Sequence, residues 1–83
     1  MTPPIFRIHW VDSQQHNGWA PLDAAIETAK RTMDCETVGY LIQVWSDRIV
    51  LAQSLSYSGD GGVENVSELM TIPRVAVTKV VRL

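Results

Sequence analysis

The sequence predicts a mainly β domain with one helix (α+β). Its strands are expected to form a small five-stranded barrel, with a 3₁₀ turn before the last strand. Three observations carry this. Several short stretches are apolar at the period of a strand. One stretch alone, near residues 21–33, places its apolar residues at helical spacing. Pro73-Arg74-Val75-Ala76 is too short for a helix but suits a single 3₁₀ turn between two strands. With 83 residues there is room for one domain, assigned to 1–83.

The first strand is read at Ile5–Val11. Phe6, Ile8 and Trp10 share one face; Arg7 and His9 lie on the other. Pro3 and Pro4 keep the preceding residues out of the sheet. The polar segment Asp12–Gly18 ends in Asn-Gly, a turn signal.

The helix is expected at about Pro21–Met33. Pro21 suits the first turn, where its missing N–H is not needed. Leu22, Ala25, Ile26, Ala29 and Met33 form one apolar stripe. Asp23 and Glu27 come early and Lys30 and Arg31 late, complementing the helix dipole. Glu27 is placed to meet Arg31 at i,i+4. Trp19 is expected to staple the first turn to the body of the domain.

Two strands follow, Val38–Trp45 and Arg48–Leu55, joined by a tight turn at Ser46-Asp47. Both carry apolar residues on both faces, the mark of strands covered on both sides. One side is assigned to the barrel core. The other is expected to meet the helix or another subunit. Tyr57–Glu64 holds three of the five glycines and reads as a flexible loop. A fourth strand is read at Ser67–Ile72 and the last at Val77–Leu83.

Composition narrows the function. A net charge of -2, with seven Lys and Arg spread along the chain, disfavours general nucleic-acid binding. A single cysteine, Cys35, allows no internal disulfide and fits a reducing, cytoplasmic setting. The start of the chain lacks the apolar core of a signal peptide. No apolar run approaches the ~20 residues of a membrane span, so no membrane partner is expected. So small a domain gains from self-association, and open strand edges offer a means.

No catalytic pair, triad or metal set stands out, so the chain is read as not an enzyme and no cofactor is assigned. His9 and His16 do not form a zinc spacing. Cys35 has no neighbouring base and reads as a small buried residue at the helix–strand junction. Ser58-Gly59-Asp60-Gly61-Gly62 lacks the Lys-Ser or Lys-Thr of a P-loop, and reads as a hairpin loop that would close over any ligand. Trp45, at the hairpin tip, is a candidate contact surface, able to pack on a subunit or stack on a base. Arg74, after the rigid Pro73, can meet a carboxylate or phosphate with two parallel donors.

Met70-Thr71-Ile72-Pro73-Arg74, followed by Val75-Ala76-Val77-Thr78-Lys79-Val80, resembles the ending of Sm-like barrels. With Val38-Gly39-Tyr40-Leu41, Ile49-Val50-Leu51-Ala52, Trp10-Val11-Asp12 and Gly18-Trp19, nearly the whole chain resembles small uncharacterised proteins of bacteriophages and prophages. The RNA-binding loop motifs of true Sm proteins are absent, and a strand precedes the helix. The resemblance implies an Sm-like homo-oligomer, in the host cytoplasm if viral. It also implies stoichiometric capture of a host nucleotide-type immune signal between subunits, an anti-defence role. The ligand residues expected on this reading are Trp45, Arg48, Tyr57, Gly59, Asp60, Gly61, Gly62 and Arg74. The alternatives are a virion or assembly factor, an inhibitor docking on a host protein, and an Sm-like RNA-binding regulator.

Overall fold

A computed structural model describes residues 2–83. In chain order it contains β1 (Ile5–Asp12), α1 (Leu22–Ala29), β2 (Met33–Val44), β3 (Arg48–Tyr57), β4 (Val63–Pro73), a 3₁₀ turn (Arg74–Ala76) and β5 (Val77–Arg82). The strands form one antiparallel sheet in the order β4-β3-β2-β1-β5. The mainly β class, the one helix and the 3₁₀ turn before the last strand are as the sequence predicts.

The closed barrel does not form. Closure would need β4 to pair with β5, yet these strands lie at opposite edges of the sheet. The 3₁₀ turn carries the chain from one edge to the other. Its anchor is one backbone bond, Arg74 N–H to the Asp47 carbonyl at 2.9 Å. The result is an elongated molecule, 61 × 24 × 21 Å, with a radius of gyration of 17.2 Å. A compact chain of this length has a radius of about 12 Å.

The core sits where all five strands overlap. Ile8, Ile49, Leu51 and Ile72 form a buried cluster, with Phe6, Trp10, Leu41 and Val77 packed against it. These are the period-two positions of their strands, so the pleat turns them to one side. The Trp10 indole N–H is satisfied by the Thr37 hydroxyl at 3.0 Å. On the opposite side of β3, Val50 and Ala52 are also buried. Full burial of one such aliphatic side chain stabilises by roughly 1.5–3 kcal/mol.

Away from this centre the sheet divides. β2 pairs with β1 from Met33 to Tyr40, but with β3 only from Tyr40 to Val44. β3 pairs with β4 along its whole length. Beyond Ala52, β3 and β4 therefore leave the sheet as a two-stranded arm. The early part of β2 stays with β1, and a fork opens between them. Gly39 sits at its base, where a Cβ would come 2.8 Å from the Ala52 carbonyl oxygen.

The helix departs furthest from expectation. It spans Leu22–Ala29 rather than Pro21–Met33, and no residue in it is buried. Leu22, Ile26 and Trp19 are all exposed, so Trp19 staples nothing to the sheet. Glu27 pairs with Lys30 at 2.7 Å instead of Arg31. Arg31 and Met33 fall outside the helix because β2 already begins at Met33. No helix among the described residues is long and apolar enough to cross a membrane.

Candidate ligand site at the hairpin tip

The β2–β3 turn is closed by the Trp45 N–H donating to the Arg48 carbonyl at 2.9 Å. This brings residues 45 and 48 opposite each other. The Arg48 guanidinium then lies over the Trp45 ring, 5.3 Å from its centroid, as a cation over a π face. The same guanidinium donates to both Asp47 carboxylate oxygens, at 2.9 and 3.2 Å. That two-pronged hydrogen bond holds the Asp47 carboxyl below its usual range and raises Arg48 above its own. Both groups are exposed, so solvent screens the pair.

Arg74 reaches the same corner by two routes. Arg48 is the register partner of Pro73, and the Arg74 N–H is fixed on the Asp47 carbonyl. The Arg74 side chain is exposed and forms no ion pair among the described residues. Glu68, a conceivable partner, lies further back along β4. The tip thus combines an indole face with one guanidinium stacked on it, and the backbone of a second arginine, which has no acid partner among the described residues, is anchored beside it. Asp47 was not singled out from the sequence. Its signal is the Asp-Arg pair inside a tight turn, where neighbouring side chains can meet.

The remaining expected ligand residues lie elsewhere. Tyr57 ends β3, nine residues beyond Arg48. In an extended strand that is about 30 Å. Tyr57, Gly59, Asp60, Gly61 and Gly62 therefore cannot join Trp45, Arg48 and Arg74 in one site within one subunit. The Tyr57 hydroxyl pairs with the Thr2 hydroxyl at 3.3 Å.

The loop between β3 and β4 is also bound to itself. Ser58 N–H donates to the Gly62 carbonyl at 2.8 Å and Gly61 N–H to the Ser58 carbonyl at 3.0 Å. Gly62 N–H donates to the Asp60 carboxylate at 2.9 Å, and the Ser58 hydroxyl donates to it as well. Gly61 takes a φ of 88°, which a side chain would resist. With Asp60 holding these donors, the loop is built around its own carboxylate.

The Ser58 hydroxyl first, and the Gly62 N–H second, lower the Asp60 carboxyl from its ordinary value of 3.8. A depressed folded value means that ionised Asp60 stabilises the ordered loop above pH 3.8 and that the contribution is lost as pH falls through the lowered value. The protection of the Gly61 and Gly62 amides, measured against their intrinsic exchange rate at each pH, is expected to fall in that acid range. In Asp60→Asn, this protection should be low already at neutral pH and should show no further loss on acidification.

Elsewhere, His9 Nδ1 meets the Glu36 carboxylate at 3.2 Å across β1 and β2. Cys35 is half-buried within β2 as the register partner of Trp10, not at a helix–strand junction. Among the described residues no three His, Cys, Asp or Glu side chains are grouped to hold a metal ion.

Comparison with protein-family models, with curated proteins and with solved structures finds no match for this chain.

Proposed function

We propose that the chain is a non-enzymatic, homo-oligomeric binding module that captures an anionic, nucleotide-type ligand at the Trp45–Arg48–Arg74 tip. The observation that carries this reading is the Arg48 guanidinium over the exposed Trp45 indole, with the backbone of Arg74 tied to the same turn through the Asp47 carbonyl. A base stacks on an indole, and a guanidinium matches a phosphate with two parallel donors. Arg74 is the cation that needs no release from an acid to do so.

Self-association is supported by surface and charge. The accessible area is 6396 Å². A compact protein of this mass exposes about 5,000 Å². The excess of about 1,400 Å² is more than the ~800 Å² that one partner of a standard interface buries. The outer edges of β4 and β5 both lack a neighbouring strand. Residues 53–69 contain Asp60, Glu64 and Glu68 with no base, whereas residues 72–83 contain Arg74, Lys79 and Arg82 with no acid. One copy's β4 edge and another's β5 edge are therefore complementary in backbone and in charge. On the resemblance to Sm-like phage proteins, the captured ligand is a host nucleotide signal and the capture is stoichiometric.

Calorimetric titration with a panel of cyclic and linear nucleotides tests this. Wild type is expected to bind at least one, and Arg74→Lys to bind it about tenfold or more weakly, since one charged hydrogen bond is worth roughly 1.5–3 kcal/mol. Equal binding by Arg74→Lys removes Arg74 from the site. No binding by wild type removes ligand capture. The second reading, a protein that docks on another protein, then takes its place, favoured by the exposed Trp19, Leu22 and Ile26 of the helix region.

A further inference from the structure

We infer that the fork between β2 and the β3–β4 arm is a second, two-fold interface, in which the arm of one copy fills the fork of another. This rests on the homo-oligomeric reading above and adds a surface that the outer edges do not include.

The fork exposes two unpaired backbone edges. One is β2 over Met33–Val38, which pairs with β1 but not with β3. The other is β3 over Gln53–Tyr57, which belongs to the arm and has β4 on one side only. Each is five or six residues long, roughly 17–20 Å of strand. Buried or exposed, such an edge is a template for another strand.

The two edges match in sidedness. By strand alternation, Met33, Cys35 and Thr37 of β2 lie on the core side, and Asp34 and Glu36 lie on the other. On the arm, Leu55 and Tyr57 lie on the core side, and Ser54 and Ser56 lie on the other. Pairing arm to fork sets apolar beside apolar, and serine hydroxyls beside carboxylates that can accept from them. The arm has no Lys or Arg; its acids, Asp60, Glu64 and Glu68, lie in the loop and on β4, away from the β3 edge that would face Asp34 and Glu36.

Pairing of β2 with β3 inside one subunit stops at a marked place. At the base, Gly39 lies against the Ala52 carbonyl. Directly beyond it, Glu68 of β4 adopts a φ of 56°, a left-handed conformation unusual in a strand for a residue with a side chain. Between the two branches lies a cleft of about 330 Å³, bordered by Thr37, Val38, Gln53, Glu68 and Leu69. Because every copy carries both an arm and a fork, a two-fold axis fills both at once and leaves neither edge over. The area exposed beyond that of a compact chain is enough for such a pair.

The native Cys35 supplies the test. An arm that continues in the second copy the register begun by the Tyr40–Ala52 pair would set Tyr57 opposite Cys35. Tyr57→Cys and Leu55→Cys are oxidised with oxidised glutathione at micromolar protein, with sedimentation run in parallel. The expected result is a disulfide-linked species of twice the chain mass for at least one variant, lost when Cys35→Ser is added. Ser56→Asp, set against Asp34 and Glu36, should weaken assembly tenfold or more, and Ser56→Lys should not. A disulfide that forms within one chain shows that the fork closes on itself and overturns the inference. An oligomer that persists without cross-linking, and is indifferent to Ser56→Asp, overturns the fork interface but leaves the oligomeric reading standing. A monomer at all concentrations overturns both.

Discussion

Leu51→Ala is expected to lower stability by about 2–5 kcal/mol, the range for truncating a buried leucine. Leu51 is 1% exposed and belongs to the cluster of Ile8, Ile49 and Ile72 at the centre of the sheet. A chain of this size holds roughly 4–12 kcal/mol in all. The substitution therefore removes a large part of the total, and the melting temperature should fall by tens of degrees or the fold should be lost. Leu22→Ala is the informative contrast. Leu22 is 76% exposed, and an exposed truncation stays within about 0.5 kcal/mol. Urea denaturation of both variants checks the pair. A Leu22→Ala variant as unstable as Leu51→Ala would show that the helix is packed on something in solution.

Gly39→Ala is expected to be the next most damaging change, at about 1–3 kcal/mol. The added Cβ would stand 2.8 Å from the Ala52 carbonyl oxygen and 3.2 Å from the Leu51 Cβ. Neither neighbour is a flexible side-chain end. The oxygen is backbone in the middle of β3, and Leu51 is locked in the core. Relief can come only by moving β2 away from β3 just where the fork begins. The urea midpoint should fall, and amide protection should weaken at the Tyr40–Ala52 pair before it does in the β1–β5 ladder. A Gly39→Ala protein as stable as wild type would show that β2 and β3 do not pack tightly at this position in solution.

The elements legible in the sequence were those whose side chains are sorted by a core. Phe6, Ile8 and Trp10 alternate because β1 has a buried side, and Ile49 and Leu51 do so in β3. The early half of β2 was harder. Met33, Cys35 and Thr37 alternate with Asp34 and Glu36 at period two, but the preceding helical stripe also claims Met33. The early half of β4, Val63–Ser67, is polar because it is the outer strand of an arm, with no core to select apolar residues. Its pairing with Ser54–Tyr57 rather than its composition makes it a strand.

Closure of the sheet was not legible at all. Alternation says that a strand has two unlike faces; it does not say how far the sheet curves. The helix teaches the same point. Leu22 and Ile26 mark a face that calls for cover, but a stripe does not identify what covers it, and the sheet of the same subunit does not. At the tip, the chemistry of Trp45, Arg48 and Arg74 was visible as residue types. The anchoring of the Arg74 backbone beside the Trp45–Arg48 turn depended on the Asp47 carbonyl, and the separation of Tyr57 depended on the length of β3, neither of which a residue type reports.

The β1–β5 ladder has a consequence for the order in which the chain folds. It pairs Phe6 with Arg82, the Thr78 hydroxyl donates to the His9 carbonyl 69 residues away, and Leu83 N–H donates to the Ile5 carbonyl at 2.9 Å. Closing so long a loop costs about 2 kcal/mol more in chain entropy than closing the five-residue connection of the β3–β4 hairpin. The hairpin can form early from neighbours in sequence. β1 must then find β2 across the helical connection, and β5 can add to β1 only after that. Nucleation accordingly belongs to the β2–β3–β4 meander, and the joining of the first and last strands comes late, after the rate-limiting step. Substitutions in β5 should on this basis act mainly on the rate of unfolding, whereas those around Leu51 should slow folding itself.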